Sequence, residues 1–209
     1  MTARLSIAGL SLFWSSLPLS LPLSLLACTH ASATTPLANH GARASNTEIR
    51  AIDWENRTYQ LDELGAVTVR AGRAEFQISE DSQAVERGVA RGSFTVAPPL
   101  FADIDHDGVD DAIISSVLAT GGTGHFSEVR IYTLRDGKLA VLAQLAGGDR
   151  GDGGIRHVAL DGASVIVDRN VLAPGDGLCC PSAAQRERWT WQHGELVEDA
   201  SARRPLAIE

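Results

Sequence analysis

From about residue 49 onward, apolar and polar residues alternate with a period of two, and glycine-bearing turns break the alternation at short intervals. That is the pattern of half-buried strands. Short runs of this kind cover Arg57–Leu61, Ala66–Arg70 and Ala74–Ile78, punctuated by Gly65 and Ala71-Gly72. Ser93–Phe101 is apolar but carries Pro98-Pro99. Proline has no amide for a ladder, so the segment is expected at a sheet edge or as a strand that stops there. Ala112–Ala119 is apolar without a break, as suits a central strand buried on both faces. Three hairpins are predicted. Ser127–Leu134 and Leu139–Leu145 flank Asp136-Gly137; Ile155–Leu160 and Ser164–Asp168 flank Asp161-Gly162; Gln185–Gln192 and Glu195–Val197 flank His193-Gly194. Glu80–Val89 reads as a polar loop or one helical turn, and no stretch of ten residues carries a helical period. The expected fold is mainly β: a single antiparallel β-rich domain, sandwich or curved sheet, over residues 49–199.

The residues before the domain follow another pattern. Met1–Arg4 is short and basic, Leu5–Leu26 is apolar with interspersed serines and prolines, and Leu25-Leu26-Ala27-Cys28 follows. A basic start, an apolar run and a small residue at the cleavage point describe an export signal. The scattered serines and prolines argue against a permanent membrane span. The tetrad resembles the lipobox of bacterial lipoproteins. That resemblance implies removal of residues 1–27, lipidation of Cys28 and anchoring in the cell envelope. Thr29, where a retained lipoprotein would carry aspartate, implies the outer membrane, facing the periplasm. The competing reading is an ordinary signal cut near Ala31-Ser32-Ala33. Residues 28–48, rich in Ala, Thr and Ser, read as a flexible tether, and 200–209 as a polar tail.

Composition then narrows the partners. The chain has 209 residues, 44% of them hydrophobic, enough for one domain with a core. Its net charge of −8 becomes more negative once Arg4 leaves with the leader. An acidic surface excludes nucleic acid and anionic lipid headgroups as natural partners. An envelope protein or a glycan fits better.

Much of the excess charge is concentrated in one place. Asp103, Asp105, Asp107, Asp110 and Asp111 fall within nine residues, with Gly108 at the point where the chain must reverse. Carboxylates this crowded need a cation between them, and the spacing is that of a calcium loop. An EF-hand would require a bidentate glutamate at its twelfth position, which is the apolar Ile114. The D-x-D-x-D-G-x-x-D spacing instead resembles the loops of FG-GAP and integrin-α propellers. The resemblance implies Asp103, Asp105, Asp107 and Asp111 side chains plus the Val109 carbonyl as ligands of a structural Ca2+ between two strands. It leaves Asp110 pointing outward and His106 without a role. A complete propeller is excluded, because four blades of 40 to 50 residues exceed the domain.

More of the chain carries a resemblance. Ile52-Asp53-Trp54-Glu55-Asn56-Arg57-Thr58-Tyr59, the aspartate loop, Gly121-Gly122-Thr123-Gly124-His125-Phe126, Gly148-Asp149-Arg150 and Cys179-Cys180-Pro181-Ser182 succeed one another. This order is similar to that of a family of uncharacterised exported bacterial domains. The resemblance implies a shared fold and an ion pair or loop brace at Asp149 and Arg150, but no activity.

The remaining candidates divide between chemistry and packing. With Cys28 lipidated, Cys179 and Cys180 are left adjacent in an oxidising compartment. They read as a vicinal disulfide, a thiol or soft-metal sensor, or a structural turn. Arg150-Gly151-Asp152 spells an adhesion tripeptide, a reading set aside for the loop brace. His106, His125, His157 and His193 are scattered, with no nucleophile elbow or H-E-x-x-H, although a triad is spatial and needs no motif. Trp189 and Trp191 share a strand face and suit either a sugar platform or a core edge. The function expected is therefore a calcium-stabilised binding or structural module anchored at the envelope, without a catalytic site. The alternatives are a hydrolase-type enzyme and a sensor built on Cys179 and Cys180.

Overall fold

Where the chain reverses sharply, it does so on residues that tolerate positive φ. Ala71-Gly72, Asp136-Gly137 and His193-Gly194 each place two successive residues there, the geometry of tight hairpin turns. The computed structural model describes residues 46–62, 64–77, 91–121, 124–149 and 153–207. The leader with Cys28, all but the last residues of the tether, Glu80–Val89, Gly122-Thr123 and Arg150–Asp152 lie outside the described residues.

Among the described residues, thirteen strands are laid out in antiparallel sheets, none closed into a barrel or propeller. A five-residue helix α1 (Asn46–Arg50) leads into a two-stranded hairpin of β1 (Thr58–Leu61) and β2 (Gly65–Thr68). The largest sheet runs β3 (Arg73–Gln77), β4 (Arg91–Val96), β6 (Asp111–Ala119), β7 (His125–Arg135), β8 (Lys138–Asp149), with the short β5 (Leu100–Ala102) also on β6. β4 and β5 lie end to end along β6, opposite its 116–119 and 111–113 ends, and Ala97-Pro98-Pro99 separates them. The strand thus stops at the prolines, and its first half is interior, not at an edge. The second sheet orders β12 (Glu195–Glu198), β11 (Ala183–Gln192), β10 (Ser164–Val171) and β9 (Ile155–Asp161). Residues 200–206, polar enough to read as a tail, form a 3-10 turn and β13 (Arg204–Leu206), which pairs with β11.

The large sheet is buried on both faces, and β6 shows why its sequence is continuously apolar. Ala112 and Ile114 face one core, with Phe94, Val96, Tyr132 and Leu134 of the sheet and Ile49, Trp54, Tyr59 and Leu61 of the N-terminal layer. Ile113 faces the other, with Ile104, Val129, Ile131 and Leu145 against Val165 and Val167 of the second sheet. The N-terminal layer is held by the Ile52–Tyr59 motif. Trp54 Nε1 donates to the Ile49 carbonyl, the Tyr59 hydroxyl to the Trp54 carbonyl, and Asn56 Oδ1 accepts the Ala71 amide. Arg57 stacks over the Trp54 and Tyr59 rings.

Candidate metal centre

The aspartate loop spans residues 103–110 between β5 and β6, so its two ends are already paired strands: Ala102 sits opposite Asp111. Within it the chain reverses at His106 (φ 62°) and Gly108 (φ 86°). Histidine tolerates this left-handed region better than most side chains, which gives His106 a backbone role. Side chains fold inward onto loop amides. Asp103 Oδ2 accepts from Gly108 N (3.0 Å), Asp105 Oδ1 from Asp107 N (3.2 Å), Asp107 Oδ1 from Val109 N (2.8 Å) and Asp111 Oδ2 from Ile104 N (2.9 Å).

These bonds leave a concave set of oxygens. Asp103, Asp105 and Asp111 each offer a carboxylate oxygen within 4.8 Å of the others, an arrangement that could hold a metal ion. Asp111 is fully buried, yet its Oδ1 has no hydrogen-bond partner, and neither has the buried Asp103 Oδ1. The Thr133 hydroxyl beside Asp111 is likewise buried without a well-formed bond. Orphaned oxygens of this kind are costly in a protein interior unless something positive completes them. Burial pushes the Asp111 carboxyl up to about 6, against the pull of the Ile104 amide. Asp105 is also raised, by burial first and then by the Asp107 charge; Arg135 Nη2 lies 3.7 Å from its Oδ2.

Of the five loop residues expected as ligands, three converge. Asp107 spends one oxygen on the Val109 amide, and Val109 is buried. Asp110 has a role that spacing could not reveal. Its amide donates to Asn46 Oδ1 (2.7 Å), and its carboxylate receives Arg50 Nε (2.7 Å) while Arg50 stacks on Phe101. The aspartate beside the ligands thus docks α1 onto the loop across sixty residues of sequence.

The other motifs resolve into braces. Asp149 Oδ1 accepts the His125 amide, closing the described part of the glycine-rich connection; Arg150 lies outside the described residues. Cys179 and Cys180 are joined as a vicinal disulfide and both are exposed. Asp176 ties their loop by accepting from Ala173 N, Ser182 N and Ser182 Oγ, each at 2.7 Å, and the Ser182 bonds hold its carboxyl below the usual range. Trp189 and Trp191 pack against the second core, and Trp189 Nε1 donates to the buried Glu187, which Arg169 also binds. His157 Nδ1 lies 3.7 Å from Asp168 Oδ2, but Asp168 is held by both Nε and Nη2 of Arg186, which lowers its pKa. An aspartate so committed to a guanidinium is poorly placed to orient a catalytic histidine.

Comparison with protein-family models, with curated proteins and with solved structures returns no match for this chain.

Proposed function

We propose that the chain is an exported, lipid-anchored module of the bacterial envelope, with a β domain clamped by one structural Ca2+, and that it binds rather than catalyses. The observation carrying the clamp is the pair of buried, unpartnered oxygens, Asp103 Oδ1 and Asp111 Oδ1, beside Asp105. The donor set is all oxygen, with no thiolate or imidazole in the group, which favours a hard cation over zinc or copper. Asp107 and the Val109 carbonyl would complete the shell by small adjustments of the same turn. A cation here joins both ends of the loop, and through Asp110 steadies the start of the domain.

Chelator and calcium test the clamp. Calcium at about a hundred times its dissociation constant is expected to add about 2.7 kcal/mol to unfolding. This should raise the melting temperature by several degrees over the same protein in chelator. Asp111→Asn should abolish the difference, and equal melting of the parent chain in both conditions would sink the clamp. The exposure of both Cys179 and Cys180 favours a second reading, a thiol sensor at the envelope, since accessible sulfurs are what exchange requires.

A further inference from the structure

The N-terminal layer covers only part of the face on which it packs. Beyond Leu61, the sheet face formed by β4, β6, β7 and β8 opens into a cleft of about 360 Å3, at the small end of ligand pockets, which run from about 300 to 1,000 Å3. Its walls are Leu61, Phe94, Leu118 and Phe126, with Ala146 beneath. Phe126 is 46% exposed, although the neighbouring rings of the same face are buried.

One end of the cleft is polar, and it is built rather than left over. Ser116 and Glu128 are register partners on β6 and β7. Glu128 Oε1 accepts from Ser116 Oγ (3.3 Å) and lies 2.9 Å from Arg130 Nε, while Oε2 accepts from Gln144 Nε2 (2.7 Å). Arg130, 9% exposed, also donates to the Gln60 carbonyl and so ties the network to the hairpin forming the cleft's border. A carboxylate and a guanidinium are expensive to bring together on an apolar face, and a packed hydrophobic pair would serve stability as well. Their charges cancel at the floor, and Asp62 on the hairpin border adds one negative charge to the lining, so the site disfavours an anion. What the carboxylate still offers is acceptor capacity at Oε2, which has a lone-pair site left beside Gln144 Nε2.

We infer that this cleft binds a small uncharged amphiphile: a flat apolar body of one or two rings lying against Phe126, Leu118 and Phe94, with one hydroxyl or amide N–H donated to Glu128. Aromatic walls with a few placed polar groups are the usual composition of such sites. The site shares no residue with the aspartate loop, so it stands or falls independently of the calcium reading.

The test uses the full chain with N-phenyl-1-naphthylamine, a neutral two-ring aromatic with a single N–H whose fluorescence rises in apolar surroundings. Saturable enhancement at one site per chain is expected. Phe126→Asp and Leu118→Asp should each weaken binding about tenfold or more. Glu128→Gln, which keeps size but loses the charged acceptor, should weaken it severalfold, and its melting temperature is measured alongside because it also leaves Arg130 without its carboxylate partner. Val141→Asp, at the similarly exposed valine of β8, should leave binding unchanged. Enhancement that fails to saturate, or that survives both Phe126→Asp and Leu118→Asp, would overturn the proposal. So would a concentration-dependent dimer that Phe126→Asp dissolves without any probe binding, because the face would then belong to a second copy.

Discussion

At the scale of single residues, Asp111 decides the electrostatics of the domain. Its carboxyl titrates near 6 in the folded, cation-free chain against about 3.9 when unfolded. The folded state therefore holds this proton more tightly, so the contribution of Asp111 to stability is greatest below about 4 and is lost as pH rises through 6. In chelator, the domain is expected to lose about 2 kcal/mol of unfolding free energy between pH 4.5 and 7.5 from this group. Urea titrations at the two pH values measure it, and Asp111→Asn should flatten the difference. Calcium should reverse the trend, since proton and cation compete for the same oxygen. A cation-free chain more stable at pH 7.5 than at 4.5 would contradict the assignment. The neighbouring residues explain what was legible beforehand. Asp103, Asp105 and Asp111 could be read from spacing because ligand and turn geometry are local. Asp110 and His106 could not, because one answers to Asn46 and Arg50 and the other to a backbone angle.

Among the elements, the hairpins were the most readable, since period-two alternation and a glycine turn fix a register without reference to the rest of the chain. β7 and β8 close on Asp136-Gly137 and β11 and β12 on His193-Gly194, as the pattern predicts. β13 was hidden because its pairing with β11 is made through the backbone of a polar segment. The face that holds the cleft was hidden for a different reason: its walls join β4, β6 and β7 to Leu61 of the separate N-terminal hairpin, a meeting that no single stretch of sequence records. The loop between β10 and β11 yields a prediction at this scale. A bridge between adjacent cysteines encloses no intervening chain, so it removes little entropy from the unfolded state. Asp176 already ties that loop from both sides. Replacing Cys179 and Cys180 together by serine is expected to cost less than about 1 kcal/mol of stability. Asp176→Ala removes three accepted bonds and should cost more. Denaturant midpoints distinguish the two, and a larger loss in the serine variant would make the bridge a structural one.

For the whole molecule, the arrangement is one sheet buried on both faces, with the N-terminal layer on one side and the second sheet on the other. The fold class was accessible from the sequence, whereas the choice between a sandwich and a curved sheet required the strand order. Residues ahead of α1 bear on where the molecule works. If Cys28 carries lipid, Cys28→Ser should move the chain from the membrane pellet to the soluble fraction on extraction, with melting behaviour unchanged because the substitution lies far from the domain in sequence. Retention in the pellet would remove the anchor from the reading.

The docking of α1 on the aspartate loop also has a mechanical side. Among the described residues, a pull applied through the N-terminal segment first reaches Asn46. The first non-covalent links it loads are the Asp110 amide on Asn46 and the Asp110 carboxylate on Arg50. Behind them stand the short loop and then the Asp111 end of β6, a strand buried in the middle of the large sheet. Force thus passes through the acidic turn before it reaches any strand pairing in that sheet. A turn cross-braced by a divalent ion resists stretching better than one whose carboxylates repel, so the ion would set how hard the domain can be tugged before its first layer peels away.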